Sequence, residues 1–327
     1  MAKGTRQKLK LILLAQLLLE QTDEEHPLST GALIAALERQ GVAAERKSIY
    51  SDMEYLALSG MDVQLRRDGG CRGWFVGERQ FQLPELKLLV DAVQSSRFLS
   101  QRKSRELIRK LERLTSVHQA QELQRQVYVS GRVKTMNESI YYHVDQIHTA
   151  VHNRQSITFR YFDYDFRRRK IYRHGGKLYQ VQPYGLIWNS ENYYLVALDE
   201  ESGQIRHYRV DKMSGIALCG SPRREEMGNF DLAAYGQKHF GMYHGPEITV
   251  TLRAENRMSS VIFDRFGQDV IAIPDGEDHF TVQIPLVMSP QFFGWLFGLE
   301  ERVQIAAPEE AAAAYRARLE AAMAQYR

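Results

Sequence analysis

Apolar positions fall into helical spacing three times in the first sixty residues. Leu9, Leu13 and Leu17, with Ile12, Leu14 and Leu18 beside them, predict a helix over residues 5–21. Leu33, Ile34 and Leu37 predict a second over 31–39, capped by Ser29 or Thr30 and stopped at Gly41. Ile49, Met53 and Leu56 recur at i, i+4 and i+7 and predict a third over 46–58, ended by Gly60. The period then changes to two. Residues 63–67 and 72–76 alternate around Asp68-Gly69-Gly70, a strong hairpin signal. Three short helices followed by a hairpin is the order of a winged helix-turn-helix, assigned here to residues 1–80.

The polar positions on this frame suggest a partner. A helix that enters the major groove needs polar and basic residues at its N-terminal end, where base edges and phosphates lie. Arg46, Lys47 and Ser48 hold that end, with Tyr50 and Ser51 on the same side. Tyr50 can stack or donate a hydrogen bond to a phosphate. Arg66, Arg67 and Arg72 flank the wing tip, placed to follow a DNA backbone or enter a minor groove. The competing reading is a winged-helix module for dimerisation or protein binding. Residues 1–80 give it weight, with 11 Lys/Arg against 11 Asp/Glu.

Residues 81–136 read as a helical connector of two helices. Leu83, Leu86, Leu89, Val90 and Val93 form one inward stripe; Leu107, Ile108, Leu111 and Leu114 form the other. A further helix over 137–154, with Ile140, Val144, Ile147 and Val151 inward, opens the next region. Short strands follow at 156–161, 171–174, 178–182, 184–188, 192–198, 206–210 and 216–218, separated by turn residues such as Gly175-Gly176 and Asn189-Ser190-Glu191. That spacing argues a small barrel or sandwich over 137–228. Residues 229–327 read as helix 230–240, strand 248–252, helix 258–266, strands 270–274 and 281–285, helix 289–296, strand 303–306 and helix 309–326, a small α+β domain.

Charge sharpens this division. Residues 97–134 carry 10 Lys/Arg against 3 Asp/Glu, and residues 154–180 carry 8 against 2. Residues 225–327 reverse the balance, with 8 against 15. A basic middle points to phosphates and an acidic tail does not, although solvated helix charge gives the same counts. The run Phe166-Arg167-Arg168-Arg169-Lys170 stays open between a solvated turn and extra phosphate attraction. No apolar run approaches the ~18 residues a membrane span needs. Cys71 and Cys219 lie too far apart for a metal motif. A soluble cytoplasmic protein without cofactor or metal is expected. No histidine pair, carboxylate pair or phosphate loop marks a catalytic centre, so an enzyme is not.

Three regions resemble a known family. Arg46-Lys47-Ser48-Ile49-Tyr50-Ser51-Asp52-Met53 is similar to the recognition helix of regulators that carry a WYL domain, with Ser51 where the family usually has arginine. Pro183-Tyr184-Gly185-Leu186, Trp188, Asn192-Tyr193-Tyr194-Leu195-Val196 and Arg206-His207-Tyr208-Arg209-Val210-Asp211-Lys212-Met213 resemble the WYL domain itself. The family's Trp-Tyr-Leu triplet is matched by Tyr193-Tyr194-Leu195. Its Arg-x-x-Arg-x-x-Arg run is matched by Arg206, Arg209 and Lys212. Phe292-Phe293-Gly294-Trp295-Leu296 resembles the family's C-terminal extension, which often pairs two subunits.

The resemblance implies an SH3-like barrel behind a winged helix-turn-helix, operator DNA as partner, a homodimer, and a ligand of single-stranded nucleic acid or nucleotide type. Tyr161, Tyr184 and Tyr194 with Arg206, Arg209 and Lys212 are the candidate ligand residues. Guanidinium groups beside tyrosines suit a ligand that bears phosphate and a stacking base. The alternative is that the tyrosines are core and the arginines pair with Asp199, Glu201 and Asp211. Residues three apart on a strand point to opposite faces, so Arg206 and Arg209 converge only through a bulge or turn. Two other functions stay open: an accessory protein of a CRISPR or phage-defence system, and a sensor of a small phosphorylated metabolite.

Overall fold

The computed structural model describes residues 3–67, 72–123, 134–135, 137–222, 230–232, 235–236, 240–243 and 245–326. The chain divides into two units, Met1–Glu138 and Ser139–Arg327.

The first unit opens with α1 (Lys3–Gln21), α2 (Thr30–Arg39) and α3 (Arg46–Leu58), then the antiparallel strands β1 (Val63–Arg66) and β2 (Gly73–Val76). The helical stripes meet in one core, where Leu14, Leu17, Leu18, Leu33, Leu37, Ile49 and Met53 are buried. Leu9 and Ile12, expected on the inner side of α1, are instead 45% and 57% exposed, because the buried face of α1 runs through Leu14, Leu17 and Leu18. Each such side chain contributes roughly 1.5–3 kcal/mol over leaving it in water. Ser29 caps α2, its Oγ accepting from the Ala32 amide at 3.1 Å. The turn at residues 68–70 and Cys71 lie outside the described residues.

Strand β2 makes a second contact that the sequence pattern does not signal. Leu28 and Trp74 exchange two backbone hydrogen bonds of 2.9 and 2.8 Å, so the hairpin is stitched to the residues just before α2. Gly73 permits this approach. A Cβ there would lie 2.5 Å from the Leu28 carbonyl carbon and oxygen.

Three helices follow where two are expected: α4 (Leu83–Ser95), α5 (Gln101–Glu112) and α6 (Val117–Leu123). Their core is Leu86, Val90, Ile108 and Leu123. Leu89 and Leu114, expected inward, lie at the stripe margins and are 39% and 40% exposed. The chain breaks before α6 because Ser116 caps it, its Oγ accepting from the Gln119 amide at 3.1 Å and donating to Asp23. His26 stacks on His118 at 3.8 Å, and Arg79 Nη2 donates to the Thr22 carbonyl at 2.6 Å.

The second unit begins with α7 (Ser139–His152), which buries Ile140, His143, Ile147 and Ala150. Six antiparallel strands follow: β3 (Gln155–Tyr164), β4 (Lys170–Tyr172), β5 (Leu178–Asn189), β6 (Asn192–Asp199), β7 (Ile205–Arg209) and β8 (Met213–Pro222). Their order is β4-β3-β5-β6-β7, with β8 also on β3. Among the described residues β7 and β8 do not pair, so the sheet stays open where a closed SH3-like barrel was expected. The physical reason lies at Val210–Lys212, a 3-10 turn that leads the chain from β7 into β8, whose partner is β3.

A second sheet, β10-β11-β9-β12, is built from β9 (Glu247–Glu255), β10 (Ala272–Asp275), β11 (His279–Val287) and β12 (Val303–Ala307). Helices α8 (Ser259–Phe266), α9 (Pro290–Phe297) and α10 (Glu309–Ala324) complete it. Alternate β9 residues Val250, Leu252 and Ala254 pack with Ile262, Phe292 and Leu296 in one core. The molecule is thus a multidomain α+β protein with helices first and sheets after. No helix among the described residues is long and apolar enough to cross a membrane.

Candidate nucleic-acid interfaces

The first interface gathers around the start of α3. Ile49, Met53 and Leu56 face the core, which turns Arg46, Lys47 and Ser51 outward. Tyr50 lies half-buried with its ring edge-on to Trp74 at 5.3 Å. The Arg46 guanidinium first, then the Thr30 hydroxyl, holds the Tyr50 phenol below its ordinary pKa, helped by the Arg72 charge. Trp74 Nε1 in turn donates to Thr30 Oγ1 at 3.3 Å. The start of α2, the start of α3 and the hairpin are therefore joined through one cluster of side chains. A helix N-terminus carries partial positive charge and unpaired amides, which favours phosphate there.

Two of the residues predicted to touch DNA have other employment. Ser48 Oγ accepts from the Glu45 amide at 3.3 Å and donates to the Glu45 carbonyl at 2.8 Å, so its hydroxyl fastens the start of α3. Arg66 Nη1 donates to the Glu24 carbonyl at 2.8 Å and holds the α1–α2 loop. Arg67 and Arg72 are exposed. Thr30 and Trp74 were missed by sequence reasoning; nothing in a local pattern marks a contact between positions 44 apart.

The second interface lies on one face of the β3–β8 sheet. Phe159 and Tyr161 alternate on β3, Phe159 pairs with Tyr179 of β5, and Tyr208 comes from β7. Phe159 and Tyr179 stack at 5.6 Å, and Tyr208 meets Phe159, Tyr161 and Tyr179 edge-on at 5.0–5.8 Å. The rings are buried, and cations stand around them. Arg173 lies 5.2 Å over Tyr161, Lys177 lies 5.9 Å over Tyr179, and Arg206 shares the face of Tyr208 two residues on.

Asp199 ties the floor together. It accepts from the Tyr208 hydroxyl at 2.9 Å and from the Ser202 amide and hydroxyl at 2.8 and 2.9 Å; Arg206 is 3.8 Å away. Burial pushes its carboxyl up, but the bonds from Ser202 and Tyr208 and the Arg206 charge outweigh this and hold it below the usual range. Burial raises Tyr161 to about 12. Burial, then the bond to Asp199, raises Tyr208 far above an ordinary phenol.

The six predicted ligand residues do not converge. The β6–β7 register runs unbroken from Tyr194↔Arg209 to Leu198↔Ile205, with no bulge to bring Arg209 round to Arg206. Tyr194 and Arg209 therefore share the opposite face. Arg209 is held there by Asp211 at 2.9 and 3.1 Å and by Asn192 at 2.9 Å. Tyr184 sits at a bulge, with its ring 4.3 Å from Phe230. Lys212 bonds Asp163 at 2.5 Å, and Asp163 also holds Arg173 at 2.6 Å. Tyr161 and Arg206 remain on the aromatic face. Arg173, Lys177, Tyr179 and Tyr208 join them without having been predicted as ligand residues, and Asp199 joins them as the arginine partner that the alternative reading named. The basic balance of residues 154–180 was the one available signal for Arg173 and Lys177.

Residues 142–218, from α7 into β8, match the WYL domain family, and residues 246–323, from β9 into α10, match the WCX domain family. The chain is therefore a WYL domain-containing protein with a WCX domain behind. It is similar to the structure of proteasome accessory factor B/C (PafBC) of Arthrobacter aurescens at 17% identity and a TM-score of 0.32, covering 97% of this chain. It spans about half of that protein, 48% of its length. It is also similar to a CRISPR Cas-related protein at 14% identity and a TM-score of 0.37, covering 92% of this chain and 79% of the other. No curated protein matches it. Among the described residues no group of three or more His, Cys, Asp or Glu could hold a metal ion.

Proposed function

We propose that this protein is a DNA-binding transcriptional regulator without catalytic activity, acting in the cytoplasm as a homodimer. Helices α1–α3 with the β1–β2 hairpin act as a winged helix-turn-helix, and α3 enters the major groove. The six-stranded sheet, read as an opened SH3-like barrel, takes a single-stranded nucleic acid or nucleotide and alters operator binding. Such regulation is a coupling free energy between two sites. A two-fold dimer suits two operator half-sites.

One observation carries the reading. Arg46, Thr30 and the Arg72 charge act on the Tyr50 hydroxyl from three elements, and Trp74 bonds Thr30 and packs edge-on against the Tyr50 ring. Three elements thus present cations and hydroxyls on one side of the unit, the chemistry that phosphate contacts require. Lys47 and Arg67 add exposed charge. The test is anisotropy of the full chain on duplex from its own upstream region, titrated with salt. Loss of Arg46 or Lys47 should each lower the log–log salt slope by about 0.9. Absence of duplex binding at low ionic strength refutes the proposal.

A second reading has an observation of its own. Tyr161, Tyr179 and Tyr208 are only 4–8% exposed, so the aromatic face offers cations but no open ring. That suits a compact phosphorylated metabolite. Thermal stabilisation by one nucleotide or sugar phosphate, and none by oligonucleotides, selects it.

A further inference from the structure

The sheet face has phosphate chemistry without a free ring. A free ring stands at the tip of the neighbouring hairpin. Between β3 and β4 the chain turns at residues 165–169, and Phe166 there is 89% exposed. An open ring at that place has a face on which a base can stack. The tip is also built. Asp165 Oδ1 accepts from the Arg167 amide at 2.9 Å and the Arg169 amide at 2.7 Å. The Asp165 amide donates to the Arg169 carbonyl at 3.0 Å, and the Arg168 amide donates to the Asp165 carbonyl at 2.9 Å. Asp165 Oδ2 holds the Arg169 side chain at 2.9 Å.

That fixed turn leaves three groups outward. The Arg167 guanidinium lies 5.1 Å from the centre of the Phe166 ring. Among the described residues neither Arg167 nor Arg168 is paired with a carboxylate. Behind them Arg173 lies over Tyr161, while Lys170 lies over Phe162 at 4.4 Å on the other face of β3. Residues 167–169 belong to the turn and Lys170–Tyr172 is the only strand before Arg173, so about 10 Å of extended chain separates the tip from Arg173. At ~3.4 Å per stacked nucleotide that is about three nucleotides.

We propose that the β3–β4 hairpin tip is a single-strand nucleic-acid arm, in which Phe166 stacks on an unpaired base while Arg167 and Arg168 take the flanking phosphates. The arm extends the Arg173–Lys177–Arg206 face, and so rests on the reading that this face takes a phosphate-bearing ligand. Single strands fit better than duplex because an open ring needs an unpaired base, and aromatic stacking is indifferent to sequence. An anionic lipid surface is the other partner that a basic, aromatic tip could meet.

The test uses the full chain and labelled oligothymidine of about four and about twelve nucleotides, titrated with salt. The longer strand should bind more tightly. Phe166→Ala should weaken it by about 5- to 150-fold and leave the salt slope unchanged. Arg167→Ala with Arg168→Ala should lower the slope by about 1.4, and the double lysine variant should restore it. Equal affinity for both lengths overturns the arm, as does unchanged binding of the longer strand by both alanine variants. If Arg206→Ala alone abolishes binding while the tip variants do not, the arm fails and the sheet-face ligand stands. If the unaltered chain binds neither strand at low salt, both fall. Phosphatidylserine vesicles provide the last arm: vesicle binding lost in Phe166→Ala, with oligonucleotide binding intact, also overturns the proposal.

Discussion

Replacing Gly73 by alanine adds one methyl group where two backbone segments touch. The new Cβ would stand 2.5 Å from both the carbonyl carbon and oxygen of Leu28, and 2.9 Å from the Ser29 amide nitrogen. These are backbone atoms, so no rotamer change relieves the clash. The strand must back away by close to an ångström, which breaks the two Leu28–Trp74 hydrogen bonds. Each is worth about 1 kcal/mol net, and Trp74, buried at 9% exposure, loses packing as well. A loss of about 2–4 kcal/mol is expected. Gly77, just beyond the same strand, is the control. Its added Cβ would meet the ends of the Asp62 and Gln64 side chains, which can move, so Gly77→Ala should cost about 1 kcal/mol or less. Urea unfolding of the full chain by far-ultraviolet circular dichroism measures both. Because Ser29 caps α2 beside Thr30, Gly73→Ala should also weaken duplex binding. If Gly73→Ala is as stable as Gly77→Ala, the stitch between hairpin and helix is not what holds this face together.

Ser48→Ala should cost about 0.5–2 kcal/mol in urea unfolding through loss of the α3 cap, yet leave the salt slope on duplex unchanged, whereas Lys47→Ala should lower the slope and leave stability alone. Arg209→Ala should cost roughly 1 kcal/mol of stability, screened by its partial exposure, while Arg206→Ala should lower single-strand affinity with a smaller fall in melting temperature than Arg209→Ala gives. Tyr208→Phe removes a buried bond to a carboxylate and should cost about 1.5–3 kcal/mol at pH 7. The depressed Asp199 contributes stability present above its unfolded pKa of about 4 and lost as pH falls through its folded value, so the deficit should shrink below about pH 4.

Much of the fold was legible because burial has a period. Ile49, Met53 and Leu56 defined α3 over its whole observed span, and Ser289-Pro290 marked the start of α9. The order of strands and helices after residue 246 follows from alternation and turn residues alone. What escaped were contacts between distant segments. The Leu28–Trp74 stitch and the Asp23–Ser116 bond, which helps to seat α6, join residues 46 and 93 apart. No local pattern carries that information. Closure of the sheet escaped for a related reason: alternation gives strands, but which edges pair depends on where the 210–212 turn sends β8.

The candidate ligand residues show how one motif can serve two faces of a sheet. Arg206, Arg209 and Lys212 recur every three positions, and a strand alternates every two. An unbroken register therefore sends Arg206 to the aromatic face and Arg209 to the other, where Asp211 and Asn192 close around it. The Arg209 amide nevertheless serves the aromatic face, donating to the Tyr161 hydroxyl at 3.1 Å. Lys212 and Arg173 share Asp163, so the turn after β7 and the 3-10 turn that follows β4 are held by one carboxylate. An anion that drew Arg173 away would leave Asp163 to Lys212 alone, and so would bear on the turn that carries the chain from β7 into β8. A phosphate-bearing ligand that met Arg173 would thus act on the seating of that turn through a single exposed ion-pair cluster, and coupling of binding to conformation needs a shared element of this kind.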